Sequence, residues 1–230
     1  MILYIIRHGE PHYPTDSLTE NGIRQANALA ESLAKIGLDE IYSSPLGRAI
    51  QTAEPTCEIL NLPYSIEEWM SEDLMFNDIS KLDENGVRDW AMFRHNTQLM
   101  KQEYTLDDWY TNPLFNGCRD AKGAYERVVK NSDEFLARLG YTREGRIYKI
   151  TKPGDKRIAA FCHHGFGTTW LSHLMSIQPN AFWASFTINH SSVTIIEFDN
   201  NNDGYTTAWC RCLNDTSHLY RVDGSIPVIG

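Results

Sequence analysis

The chain predicts an α/β protein built on a mostly parallel sheet, with a mainly helical insertion in its middle. Three observations carry this expectation. Residues 2–6, Ile-Leu-Tyr-Ile-Ile, form an unbroken apolar run, the pattern of a strand buried on both faces. A second such run at 158–162 ends as the first does, in a polar break that contains His-Gly. Between them Ser44-Pro45 follows a short strand-like segment at 40–43 and reads as N-cap and first residue of a helix.

Taken in order, the first strand gives way to a loop with Pro11 and Pro14, then to a helix over 19–36. Thr19 suits its N-cap, Ile23, Ala26, Ala30 and Leu33 form an apolar stripe, and Gly37 suits a left-handed end. The helix opened by Ser44-Pro45 extends to about 61, with Pro55 as an expected kink. From 64 to 116 the alternation of strand and helix lapses. This region reads as an insertion covering one edge of the sheet. A helix over 121–139 follows, with Tyr125, Val128, Val129, Phe135 and Leu136 as its apolar set, then a hairpin-like excursion at 145–156. After the 158–162 strand come a helix at 168–176 and two strands, 193–198 and 205–213. Their Asn-Asp-Gly turn predicts an edge hairpin.

A chain of 230 residues with 42% hydrophobic content can bury a full core as one domain. The net charge of −9 and the lack of any basic run argue against nucleic acid or an anionic membrane as partner. A few focused cations can still hold a phosphate, because a distant acidic surface is screened beyond roughly 10 Å. The apolar run begins at Met1 with no charged segment before it. Five cysteines without metal-ligand spacing read as reduced thiols, so a cytoplasmic protein is expected.

Three strands thus finish in Arg7-His8, in the turn leading to Arg48, and in His164. If the sheet is parallel, these groups meet at one edge, where open α/β sheets bind ligands. Arg48 lies in a first helical turn, whose free N–H groups favour an anion. Two arginines can grip a phosphoryl group, and a neutral imidazole can attack it while a second one stabilises charge. The leaving oxygen needs an acid, for which the acidic cluster at 67–73 is the obvious supplier.

Arg7-His8-Gly9-Glu10, the stretch Ser43-Ser44-Pro45-x-x-Arg48-x-x-x-Thr52-Ala53 and the late His164-Gly165, in this order, resemble the histidine phosphatase superfamily, also called phosphoglycerate-mutase-like. The resemblance covers residues 1–62 and 157–220, including Leu213-Asn214-Asp215-Thr216-x-His218-Leu219. It implies a three-layer α/β/α sandwich as one domain over 1–230, with residues 69–117 as an inserted cap. It also implies chemistry through a phosphohistidine without metal or cofactor. By this similarity His8 is the nucleophile, Glu72 the proton donor and His164 the second catalytic imidazole, while Arg7 and Arg48 bind the phosphate. Gly9, Glu10 and His163 are expected to support the pocket from behind.

Some positions depart from the family pattern. Pro11 replaces a common Thr, and His163 adds an imidazole before the expected one. Trp69-Met70-Ser71-Glu72 matches the acid's usual surroundings only loosely, so Glu68 and Asp73 stay open as donors. The expected function is hydrolysis of a small phosphorylated metabolite. A phosphoglycerate mutase is the first rival, although the mutase stretch Leu-Asn-Glu-Arg-His-Tyr-Gly is missing. A non-catalytic phosphate-binding module is the second. An exposed edge in the terminal hairpin leaves homodimerisation open.

Overall fold

The computed structural model describes residues 1–83, 85–93 and 96–220, without the side chain of Asn96. The remaining positions of the expected domain and insertion (84, 94, 95 and 221–230) lie outside the described residues.

The first strand, β1 (Ile2–Arg7), runs into a ribbon of β2 (Pro11–His12) and β3 (Ser17–Leu18), which leads to α1 (Glu20–Ile36). Thr19 caps α1 as expected, its hydroxyl accepting from the Gly22 N–H at 3.0 Å. Gly37 closes it at φ +75°. The buried stripe is Gly22, Ala26, Leu29, Ala30 and Leu33, whereas Ile23, expected within it, is 50% exposed. Gly22 takes the inward place because the first turn of α1 lies directly on the backbone of Glu10.

After β4 (Glu40–Ser43), helix α2 (Gly47–Leu60) starts later than Ser44-Pro45 suggests, with Leu46 at its N-cap. The Ser44 N–H instead donates to Phe161 O at 2.9 Å, which keeps Ser44 on the sheet ladder. The helix continues through Pro55. A strand that the sequence reading missed, β5 (Tyr64–Ile66), then joins the sheet. Next come α3 (Glu72–Ile79), the hairpin β6 (Ser80–Leu82) and β7 (Arg88–Trp90), and α4 (Asn96–Leu99). Helix α5 (Ala121–Arg138) buries Tyr125, Val128, Phe135 and Leu136. The excursion that follows is a hairpin, β8 (Tyr141–Glu144) and β9 (Ile147–Ile150), turned by Gly145 at φ +65°.

The second buried strand, β10 (Arg157–Cys162), passes into α6 (His164–Leu174), which starts at His164 rather than at 168. Helix α7 (Pro179–Ser185), then β11 (Val193–Glu197), β12 (Tyr205–Thr206) and β13 (Trp209–Asp215) complete the order. The central sheet has six strands in the order β13-β11-β1-β10-β4-β5. Strands β1, β10, β4 and β5 run parallel, and β11 is antiparallel to both β1 and β13. The expected terminal hairpin is therefore β11 with β13, because β12 departs to pair with β9.

Alternation along the strands makes the layers. Leu3 and Ile5 of β1, with Ile158 and Ala160 of β10, pack against Phe135 of α5 and Phe166 and Trp170 of α6. Tyr4, Ile6, Ala159 and Phe161 point the other way, onto Leu29 and Leu33 of α1 and Ala53 of α2. The protein is thus the three-layer α/β/α sandwich expected. Among the described residues no helix is long and apolar enough to cross a membrane.

The close seat of α1 generates a test. Alanine in place of a helical glycine ordinarily stabilises by about 1 kcal/mol. At Gly22 a Cβ would lie 2.2 Å from Glu10 O, a backbone atom that cannot swing away. Gly22→Ala is therefore expected to destabilise the fold by about 1–3 kcal/mol, the usual range for overpacking. Denaturant unfolding checks this, and an unchanged or raised midpoint would contradict it.

Candidate active site

The register of β1 on β10 pairs Arg7 with Cys162, so the residues that follow, His8 and His163, leave the sheet side by side. The His8 N–H donates to Cys162 O at 2.9 Å and extends the ladder by one step. Their rings stand 5.1 Å apart between centroids. Glu72, the first residue of α3, reaches in from the neighbouring element. One ring nitrogen each of His8 and His163 and one carboxylate oxygen of Glu72 lie within 4.8 Å of one another.

The hydrogen bonds determine which atoms face this space. His8 Nδ1 is 2.7 Å from Gly9 O, a carbonyl that can only accept, so Nδ1 carries the proton. Nε2 is then the lone-pair nitrogen, and it is buried without a hydrogen-bond partner. Burial, with His163 and Arg7 nearby, holds the His8 pKa well below the usual imidazole value, so the ring is neutral. Gly9 is fixed in turn, its N–H donating to Thr52 Oγ1 at 2.9 Å.

Glu72 Oε1 accepts from the Gly165 N–H at 2.6 Å at the start of α6, and Oε2 lies 3.6 Å from Arg48 Nη2. Burial raises the carboxyl's pKa, outweighing the opposing pull of Arg48, Arg7 and the Gly165 and Phe166 N–H groups. Glu68 and Asp73, the other carboxylates considered, are exposed.

Arg48 lies in the first turn of α2 as expected, and its Nη1 donates to Asp16 Oδ1 at 2.5 Å. Asp16 also accepts from the Gly47 N–H at 2.6 Å, tying the β2–β3 ribbon to the start of α2. Arg7 donates from Nη1 to Ile188 O at 2.8 Å and from Nη2 to His190 Nε2 at 2.6 Å. The Nε atoms of both arginines, His8 Nε2 and His163 Nδ1 are all buried and unpartnered. Three such N–H donors and one lone pair beside a carboxyl suit a tetrahedral oxyanion better than a neutral group.

The sequence reading placed His164 in this cluster and His163 behind it. The geometry reverses the two. His163 Nδ1 is 3.9 Å from Glu72 Oε2, and its Nε2 is 2.7 Å from Ser44 Oγ. His164 turns aside to stack on Phe93, 4.4 Å between centroids, with Nε2 3.2 Å from Thr187 Oγ1. The backbone explains this: His163 is the last extended residue and His164 the first helical one, so their side chains diverge. Glu10 takes hydrogen bonds at 2.9 Å from both Thr19 Oγ1 and Asn21 Nδ2, so it anchors α1 behind Gly9.

Asp16, Ser44 and His190 were not singled out for the site. Ser44 carried a signal through the Ser43-Ser44-Pro45 stretch and His190 as an imidazole shortly before the last buried strand, whereas Asp16 carried none.

Residues 3–209 match the family model of the histidine phosphatase superfamily (branch 1), and the chain belongs to this family. A Schizosaccharomyces pombe protein named as a probable phosphatase is 30% identical over 107 residues, 42% of this chain and 36% of its own length. Probable phosphoglycerate mutase GpmB of Proteus mirabilis is 43% identical over 61 residues, 23% of this chain and 28% of its own. The matches thus span well under half of either relative. Among solved structures, Entamoeba histolytica phosphoserine phosphatase with 3-phosphoglyceric acid superposes at TM-score 0.61, 22% identity, over 95% of this chain and 98% of that one. A putative alpha-ribazole-5'-P phosphatase of Escherichia coli gives TM-score 0.61 at 24% identity, over 94% and 97%. These likenesses establish the fold.

The neutral imidazoles give stability a pH dependence of known sign. An unfolded histidine takes up a proton below about pH 6.5. In the folded protein burial holds His164 at about 3 and His190 at about 4, with His8 and His163 also far below the usual value. The unfolded state then binds more protons, so between about pH 4 and 6.5 each such ring removes about 1.4 kcal/mol of stability per unit fall in pH. Glu72, its pKa raised, acts in the opposite sense as one group against several. Denaturant midpoints are expected to be lower at pH 5 than at pH 7. Equal midpoints would contradict the buried, neutral state of these rings.

Proposed function

We propose that the protein is a phosphomonoester hydrolase working through a phosphohistidine on a small phosphorylated metabolite. The observation that carries this reading is the lone pair of His8 Nε2. It is buried, unpartnered, fixed by the Nδ1 contact to Gly9 O, and shares one space with both arginines, His163 and Glu72.

The chemistry follows from these positions. The Nε2 electron pair forms a bond to phosphorus while the bond from phosphorus to the ester oxygen breaks. Glu72, whose pKa burial raises, gives a proton to the departing oxygen, and an alcohol leaves. The Glu72 carboxylate then takes a proton from water. The resulting hydroxide attacks phosphorus, the bond to nitrogen breaks, and its electron pair returns to Nε2. Throughout, Arg7, Arg48 and the His163 ring stabilise the charge on the equatorial oxygens. Ser44 Oγ already accepts from the Leu46 N–H at 3.3 Å. Its own proton is thus free for His163 Nε2, which puts the other ring proton on Nδ1, toward the phosphoryl group. The supporting roles fall to Gly9, Glu10, Asp16 and Ser44, and the region from 69 to 117 serves as a cap carrying the acid at its base.

A panel of sugar phosphates, nucleotides, phosphoglycerates and phosphopeptides tests this by phosphate release. His8→Ala is expected to abolish turnover, a chelator to leave it unchanged, and His163→Ala to cost far more than His164→Ala. Wild-type rates in His8→Ala would end the proposal. Following 3-phosphoglycerate for isomerisation separates hydrolysis from mutase activity in the same experiment.

Glu72→Gln tests the acid separately. It is expected to slow hydrolysis of alkyl phosphates by about 10²–10⁴-fold, the usual share of a positioned acid. Esters of an acidic phenol should be affected far less, because their leaving oxygen needs little help. A uniform loss across both kinds of ester would assign Glu72 another role.

A further inference from the structure

The cap supplies a wall that the reaction itself does not use. Gly165, whose N–H holds Glu72, has the Trp90 ring against its bare side. An added Cβ would lie 2.6 Å from indole carbons and 3.1 Å from Glu72 Oε1. The indole therefore borders the carboxyl that faces the departing oxygen. Phe93 meets Trp90 at 5.5 Å and stacks on His164, while Phe76 supports Trp90 from behind at 5.1 Å. Trp90, Phe93 and His164 are half-buried.

Tyr13 of the β2–β3 ribbon, 61% exposed, stands on the Arg48 side of the site. Its ring lies 5.4 Å from the Arg48 guanidinium carbon. In an in-line displacement the leaving oxygen lies opposite His8 Nε2, next to Glu72. The first carbons of the alcohol then leave past the Trp90–Phe93–His164 wall beside Glu72, while Tyr13 offers a second aromatic face over Arg48. A flat ring can lie against such faces, and aromatic pairs gain about 0.5–1.5 kcal/mol beyond simple burial. A small polyol gains nothing comparable from them.

We propose that Trp90, Phe93 and Tyr13 form a subsite for the leaving group, and that the preferred substrates are phosphomonoesters whose alcohol carries an aromatic or other planar ring close to the ester oxygen. This rests on the reading of His8 as nucleophile and Glu72 as acid.

Benzyl phosphate and ethyl phosphate test it, because their alcohols are of similar acidity and a difference in rate reports recognition of the ring. Benzyl phosphate is expected to show a kcat/KM about tenfold or more above ethyl phosphate, the order expected of a filled apolar site. The ratio should fall toward unity in Phe93→Ala. Tyr13→Ala, on the exposed ribbon where folding is not at stake, should lower it as well. Equal rates for the two esters in the wild type, or a ratio unmoved in both variants, overturn the subsite. Turnover that survives His8→Ala, or none on any phosphomonoester, overturns instead the phosphatase reading beneath it.

Discussion

The parallel pairing of β1 with β10 is the constraint on which the rest of the molecule depends. Parallel strands end at the same edge of a sheet, so Arg7 and Cys162 are neighbours and the two residues beyond them face one space. Were the pair antiparallel, the two ends would stand about 20 Å apart, at roughly 3.3 Å per residue over a strand of this length. His8 and His163 would then never meet. The ladder bond from His8 N–H to Cys162 O holds this junction one residue past the strand proper, where a backbone ordinarily frays. Strand β4, on the far side of β10, adds Ser44 and the start of α2 to the same edge. The site is thus a consequence of sheet topology before it is one of side-chain chemistry.

Crowding buried charge at that edge has a cost, and the surroundings offset it unevenly. Asp16 meets Arg48 directly, and Ile188 O and His190 take the ends of Arg7, yet the Nε of each guanidinium keeps no partner. The imidazoles avoid adding to the positive charge by remaining neutral, and Glu72 avoids full ionisation cost through a raised pKa. A carboxyl with a raised pKa and neutral imidazoles thus arise from the same desolvation, acting in opposite directions on an acid and a base. A tetrahedral oxyanion set among them would supply the hydrogen-bond acceptors that these N–H groups lack, which would couple its binding to the stability of the pocket.

Much of this was legible in the chain because it is local. Apolar runs marked β1 and β10, Thr19 and Gly37 marked the ends of α1, and the recurring strand, polar break and helix pointed to one edge. The second imidazole was misread because His-Gly was aligned with His-Gly. Register, not motif, decides the matter: β1 and β10 pair residue for residue, so the partner of His8 is the residue after Cys162, which is His163. Ile23 went wrong for a related reason. Its spacing fits an apolar stripe, but the inward position belongs to Gly22, whose missing side chain lets α1 sit on Glu10. Strand β5 is short and half-exposed, and only its neighbour β4 makes it a strand.

The stretch from 69 to 117 was the least legible part, and the same physics explains why. Its stability comes from contacts distant in sequence, with no regular period to announce them. Asp78 of α3 is buried and paired with Arg119 and Arg127, two partners far along the chain. Burial alone would raise its carboxyl, and the two guanidinium groups hold it below the usual range instead. This pairing fastens α3 to α5 at the end opposite Glu72. Trp69, just ahead of α3, is wedged against Phe166 and Trp170 of α6 and Phe135 of α5. Glu72 is thus held from both sides, by an ion pair along its own helix and by an aromatic cluster before it. A carboxyl so fixed needs no motif around it, which is why the loose match at residues 69–72 still delivers an acid to the edge where β1 and β10 end.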